Sequence, residues 1–140
     1  MKITLVPTEH IESVWPKVQS YMERAAKYTY GRFTAEDIKS ELLKHSNVQQ
    51  LWIAFEEGDV YGAYVTEIVQ YPRLKTCVIH FLGGKHFKKW GWLGLEILQK
   101  FAKEHECDVM ESFGRPGWKK IWEKDGYKPR YTLYELPVEK

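Results

Sequence analysis

Residues 76–113 read TCVIHFLGGKHFKKWGWLGLEILQKFAKEHECDVMESF. Thr76 to Leu82 is an apolar, β-branched run stopped by Gly83 and Gly84, which reads as a buried strand. Leu93 to Glu106 carries Leu95, Leu98, Phe101 and Ala102 on one face, the signature of an amphipathic helix. Asp108 to Phe113 reads as a second strand. A strand, a helix and a strand in succession imply a parallel pair joined by a crossover connection. Between the first strand and the helix, the lysine- and tryptophan-rich stretch from Lys85 to Trp92 reads as a loop.

Towards the N-terminus the pattern changes sign. Gln50 to Phe55 and Val60 to Val69 flank a turn at Glu57, Gly58 and Asp59, so they read as a hairpin whose second arm leads through Tyr71 and Pro72 into Thr76. Three antiparallel strands result. Before them, Ile11, Val14, Trp15, Val18, Tyr21, Met22 and Ala25 recur at spacings of three and four, a helical face expected to start near Ser13 with Pro16 in its first turn. Thr34 caps a second helix, Ala35 to His45, and Lys2 to Val6 reads as a first strand. Beyond Phe113, Gly114 to Gly117 makes a sharp turn into a short helix, Trp118 to Lys124, and Tyr131 to Leu136 reads as a last strand.

The chain of 140 residues allows one domain, 1–140. Its 44% apolar and 29% charged residues are ordinary for a globular core and exclude wholesale disorder. The longest uncharged apolar run, Val48 to Phe55, falls far short of the ~20 residues of a membrane span. Met1 to Pro7 lacks the long apolar stretch of a secretory leader, so the expected compartment is the cytoplasm. Cys77 and Cys107 read as reduced, buried small hydrophobes. The histidines are scattered without zinc-site spacing, so no metal is expected. A net charge of +2 argues against specific nucleic-acid binding, although Lys85, Lys88 and Lys89 form one basic cluster. Six Trp and nine Tyr are many for this size, and suit either an aromatic core or a lined cleft.

The element order is β-α-α-β-β-β-α-β-α-β. It predicts an α/β (α+β) fold with a central mixed, mostly antiparallel sheet of about six strands and helices on both faces. This is the arrangement of the GNAT (GCN5-related N-acetyltransferase) fold. The chain resembles GNAT-like proteins encoded by tailed bacteriophages at Leu51-Trp52, Gly62, Thr66-Glu67-Ile68, Tyr71-Pro72, Leu82-Gly83-Gly84, Trp90, Gly114 to Trp118 and Gly126-Tyr127. The resemblance implies an acyl-CoA-dependent N-acyltransferase that binds acetyl-CoA or another acyl-CoA and an amine acceptor, in the host cytoplasm. Its alternative is a non-catalytic protein of phage particle assembly, a virion component, or a modulator of a host protein.

In this fold the pantetheine arm enters where the fourth and fifth strands splay, here along Phe81, Leu82 and Gly83, and the diphosphate rests on amides opening the next helix. The family's glycine-rich signature is altered here: Lys88, Lys89, Gly91 and Gly94 stand in that stretch. On one reading the lysines bring charge to a diphosphate and the glycines bring room. On the other, Trp90 and Trp92 fill the space. Candidate bases are Glu67, His80 and Glu111, expected to converge on adjacent strands. The family's usual tyrosine acid is replaced by Trp122, whose indole is no proton donor at useful pKa, which leaves Tyr127 or Tyr131 as substitutes. Arg115 is a candidate anion contact, and Trp90, Trp92 and Trp118 are candidate contacts to a substrate or partner.

Overall fold

A computed structural model describes residues 1–113 and 116–139 of the chain. Its elements are β1 (Lys2–Leu5), α1 (Ile11–Ala26), α2 (Ala35–Lys44), β2 (Gln49–Glu56), β3 (Asp59–Gln70), β4 (Lys75–Gly84), α3 (Phe87–Glu104), β5 (Val109–Ser112) and α4 (Lys119–Lys124). The strands form one mixed sheet in the order β1-β2-β3-β4-β5, antiparallel throughout except for the parallel β4–β5 pair. The GNAT-like architecture expected from the element order is therefore the one observed, with five strands among the described residues.

Two cores flank the sheet. On one face Trp15, Val18, Met22, Ile38 and Leu42 from α1 and α2 pack on Leu51, Ala63 and Val65. On the other, Trp90, Leu95 and Leu98 from α3 and Trp122 from α4 pack on Trp52, Ala54, Tyr64 and Ile79. Strand residues alternate between the two because side chains repeat every second residue. Local chemistry agrees with this plan at α2, where Thr34 and Asp37 form a reciprocal capping box. Buried Cys77 has its thiol pushed up to about 12 by desolvation, and both cysteines are free.

Three expectations need correction. α1 begins at Ile11, after a 3₁₀ turn over Thr8–His10, so Pro16 stands in its second turn, on the exposed face. α3 begins at Phe87, six residues before the expected start, so the lysine- and tryptophan-rich stretch is mostly helix. The cause is the burial of Trp90, Gly94, Leu98 and Ala102, which recur every four residues and extend the apolar stripe by two turns. The strand expected over 131–136 is not formed, and Tyr131, Leu133, Tyr134 and Leu136 are exposed.

Trp90 is the key to the α3 side. It is 1% exposed, and its indole lies where a Cβ on Gly62 or Gly84 would stand. Its Nε1 donates to the Lys85 carbonyl at 2.8 Å, so the polar end of the ring is satisfied. Tyr64 stacks edge-on at 5.5 Å and donates to the Gly91 carbonyl at 2.9 Å. Trp90→Ala should therefore cost ~3 to 5 kcal/mol in urea unfolding. A loss below ~1 kcal/mol would remove the indole from its place as the clamp between α3 and the sheet.

Candidate active site

The site is built on an irregularity in β4. Val65 pairs with Phe81 but Thr66 pairs with Ile79, so β4 carries one extra residue, His80, against β3. Such a bulge breaks strict alternation and re-aims side chains. Ile79 faces the α3 core, whereas His80 and Phe81 both line a cavity on the α2 side. Beyond the bulge β4 also loses its other neighbour. The last β4–β5 pair is Ile79 with Ser112, while β4 continues to Gly84. Residues 80–84 thus present a strand edge that β5 does not cover, with backbone N–H and C=O groups facing the opening.

His80 Nε2 lies 2.7 Å from Glu67 Oε1. Gln49 Nε2 donates to the same oxygen at 3.3 Å. An ionised carboxylate only accepts, so the geometry places the imidazole hydrogen on Nε2 and leaves Nδ1 as the proton acceptor. Phe113 stacks on the imidazole at 5.8 Å and 12°, and Phe81 leans on it at 6.0 Å, so the ring plane is held from two sides. Glu67 and His80 side chains are 25% and 26% exposed, accessible to a ligand yet partly shielded from water. A carboxylate–imidazole pair of this kind can act as a base, the carboxylate orienting the ring and stabilising the imidazolium that would form if Nδ1 took a proton.

Glu111 stands on the same sheet face, because its neighbour Met110 packs in the α3 core and Glu111 pairs with Val78. It does not join the pair by a direct bond. Its Oε1 is buried with no hydrogen-bond partner among the described residues. Its charge is felt at Tyr71, where the Glu111 carboxylate is the chief cause of a raised phenol pKa. Of the three expected bases, then, Glu67 and His80 form a unit and Glu111 lies to one side.

The acid position is empty of acids. Trp122 is buried, and Tyr127 packs against it at 5.0 Å in the α3-side core, its phenol pushed well up by burial. Tyr131 is exposed. Arg115 lies outside the described residues.

An acyl-CoA can be tested against these residues. The open edge beside Phe81, Leu82 and Gly83 suits an extended amide-bearing arm, which can pair with it as a strand does. The next helix opens after only Lys85 and His86, with His86 in the left-handed region at φ 58. The Lys89 amide donates to the His86 carbonyl at 2.9 Å, so the helix start offers the amides of Phe87 and Lys88, and exposed Lys85, Lys88 and Lys89 add positive charge for a diphosphate. The glycines do not serve as expected. A Cβ on Gly91 would overlap the Phe87 ring, and one on Gly94 the Tyr64 hydroxyl, so both make room for aromatic side chains. Trp90 is core, not a contact for a partner. Trp92 and Trp118 are half-buried, each edge-on to Phe87, at 5.8 and 5.1 Å. The residues fit the arm and the charge of the diphosphate, by lysines and helix amides in place of bare glycine backbone.

Sequence reasoning missed the other walls of the site. Phe33, Ile38, Glu41, His45 and Gln49 join Glu67, His80 and Phe81 around a cavity of 320 Å³. The signal available was the position of Glu41 and His45 one turn apart at the end of α2, where they pair at 3.0 Å.

No protein-family model matches the chain, and no curated protein matches it. Solved structures do. The tetramutant of the BH1408 protein from Bacillus halodurans superposes with a TM-score of 0.73 at 16% identity, over 99% of this chain and 100% of that one. The ribosomal-protein-alanine N-acetyltransferase of Brucella melitensis biovar Abortus 2308 gives 0.71 at 14%, over 99% and 100%. An aminoglycoside acetyltransferase from an uncultured soil metagenomic sample, solved with sisomicin, gives 0.71 at 11%, over 99% and 96%. At these identities the likeness is one of fold, and the fold is that of the GNAT acetyltransferases.

The pairing makes a spectroscopic prediction. Imidazole ¹⁵N NMR should show His80 with its proton on Nε2, and Glu67→Gln should shift the His80 resonances while leaving those of His10 in place. A His80 spectrum indifferent to Glu67→Gln would dissolve the pair.

Proposed function

We propose that the chain is an acyl-CoA-dependent N-acyltransferase in which Glu67 and His80 form the base. The observation that carries this reading is the 2.7 Å contact between them at the point where β4 leaves β5. Bound acyl-CoA would supply an activated acyl carbon. The chain's part is to hold the acceptor on the α2 side of the sheet, take a proton from its ammonium at His80 Nδ1, and spread the resulting charge onto Glu67. The new bond would join amine nitrogen to acyl carbon as the carbon–sulfur bond breaks, the sulfur keeping the electron pair and the proton lost by the new amide nitrogen passing to the released thiolate. A thiol with pKa near ~8.5 leaves readily as thiolate, so the lack of an acid at Trp122 is compatible with turnover. The fold neighbours that act on a ribosomal-protein alanine or bind sisomicin support an amine as acceptor.

The finer parts of the proposal rest on the sequence: an origin in a tailed bacteriophage and action in the host cytoplasm on its resemblance, and no specific nucleic-acid or membrane partner on its net charge of +2 and the lack of a long apolar run. The alternative reading is a non-catalytic protein of particle assembly, the virion or host modulation; its expected docking surface is reduced, because Trp90 is buried and Trp118 packs edge-on against Phe87.

Thiol release from acetyl-CoA in the presence of amines separates the two. Glu67→Gln should lower turnover ~100-fold or more with little change in melting temperature. Turnover that survives the substitution would take Glu67 out of the mechanism, and a wild-type chain silent to millimolar acetyl-CoA in calorimetry would favour the second reading.

A further inference from the structure

The cavity beside the base carries a second carboxylate–imidazole pair that the proposed reaction does not use. Glu41 and His45 stand at its mouth, 40% and 50% exposed, whereas Glu67 and His80 stand deeper. Glu41 bonds through Oε2 and Glu67 through Oε1, so one oxygen of each carboxylate has no partner among the described residues. The rest of the lining is Ile38, Val65, Phe33 and Phe81, the last two edge-on at 5.4 Å, with Gln49, whose amide is taken up by Glu67. No lysine or arginine is among the lining residues. Two acceptor-only groups separated by aliphatic and aromatic wall describe the complement of a molecule with a cation at each end and methylenes between. At 320 Å³ the cavity is near the lower end of the ~300–1,000 Å³ typical of ligand sites, so the molecule is small.

We propose that the acceptor is a short linear diamine, its distal ammonium held by Glu41 and its reacting amine delivered to His80 and Glu67. This rests on the N-acyltransferase reading, since it names that reaction's acceptor, but binding of the diamine needs no acyl donor and can be measured alone.

The test is calorimetry of the full chain with 1,4-diaminobutane, 1-aminobutane and 1,4-butanediol. The diamine should bind about tenfold or more tightly than the monoamine, as expected for one extra charge-assisted hydrogen bond, and the diol should not bind. Glu41→Gln, with α2 helicity checked by circular dichroism, should bring the diamine-to-monoamine ratio close to one. Equal affinity for the two amines, or a ratio untouched by Glu41→Gln, overturns the proposal. Acetyl transfer to other amines without a diamine preference also overturns it while leaving the acyltransferase reading intact. Diamine binding with no acetyl transfer supports the site and removes the enzyme.

Discussion

Where β3 takes the single step from Val65 to Thr66, β4 must accommodate an additional residue, and the surplus is His80. The bulge turns two successive side chains, His80 and Phe81, to the α2 side, and it coincides with the parting of β4 from β5. The bulge thus adds Phe81 to the face that His80 and Glu67 already share by alternation, at the point where the β4 edge is left open to an extended ligand. The cavity under α2, the ring stacking of Phe113 on His80 and the apolar wall at Phe81 are all arranged around it.

On the opposite face, Trp90 keeps that edge in place. Gly62 and Gly84 vacate the volume that its indole fills, and its bond to the Lys85 carbonyl fixes the short connection from β4 into α3. A helix start held so close to the strand end leaves a two-residue connection, where a glycine-rich loop would have had more amides to offer. Three exposed lysines, Lys85, Lys88 and Lys89, surround that start. Aromatic packing therefore sets both the stability of the α3 side and the form of the helix start.

The order of elements was legible in the sequence because each long element carried one clear period: spacings of three and four in α1, alternation in the hairpin, a stripe in the latter part of α3. The start of α3 was not, since Gly91 and two tryptophans read as loop until Gly62 and Gly84 are seen to receive Trp90. Tyr131 to Leu136 alternates like a strand, yet alternation states only which faces a strand would have and supplies no partner. Glu67 and His80 were legible as candidates converging on adjacent strands, whereas Glu111 lies to one side and the bulge that adds Phe81 to their face was not legible, because ideal alternation cannot foresee it. Glu41, His45 and Gln49 escaped notice because a pair one turn apart at a helix end is usually surface decoration.

The account stands or falls on the open edge of β4 beside the Glu67–His80 pair. Backbone amide NMR of the full chain during titration with acetyl-CoA tests it most directly. The largest shifts are predicted at residues 80–84 and in the first turn of α3, His86 to Lys89, with the amides of β1 and β2 unmoved. No shift at millimolar acetyl-CoA, or shifts confined to another face of the sheet, would contradict it.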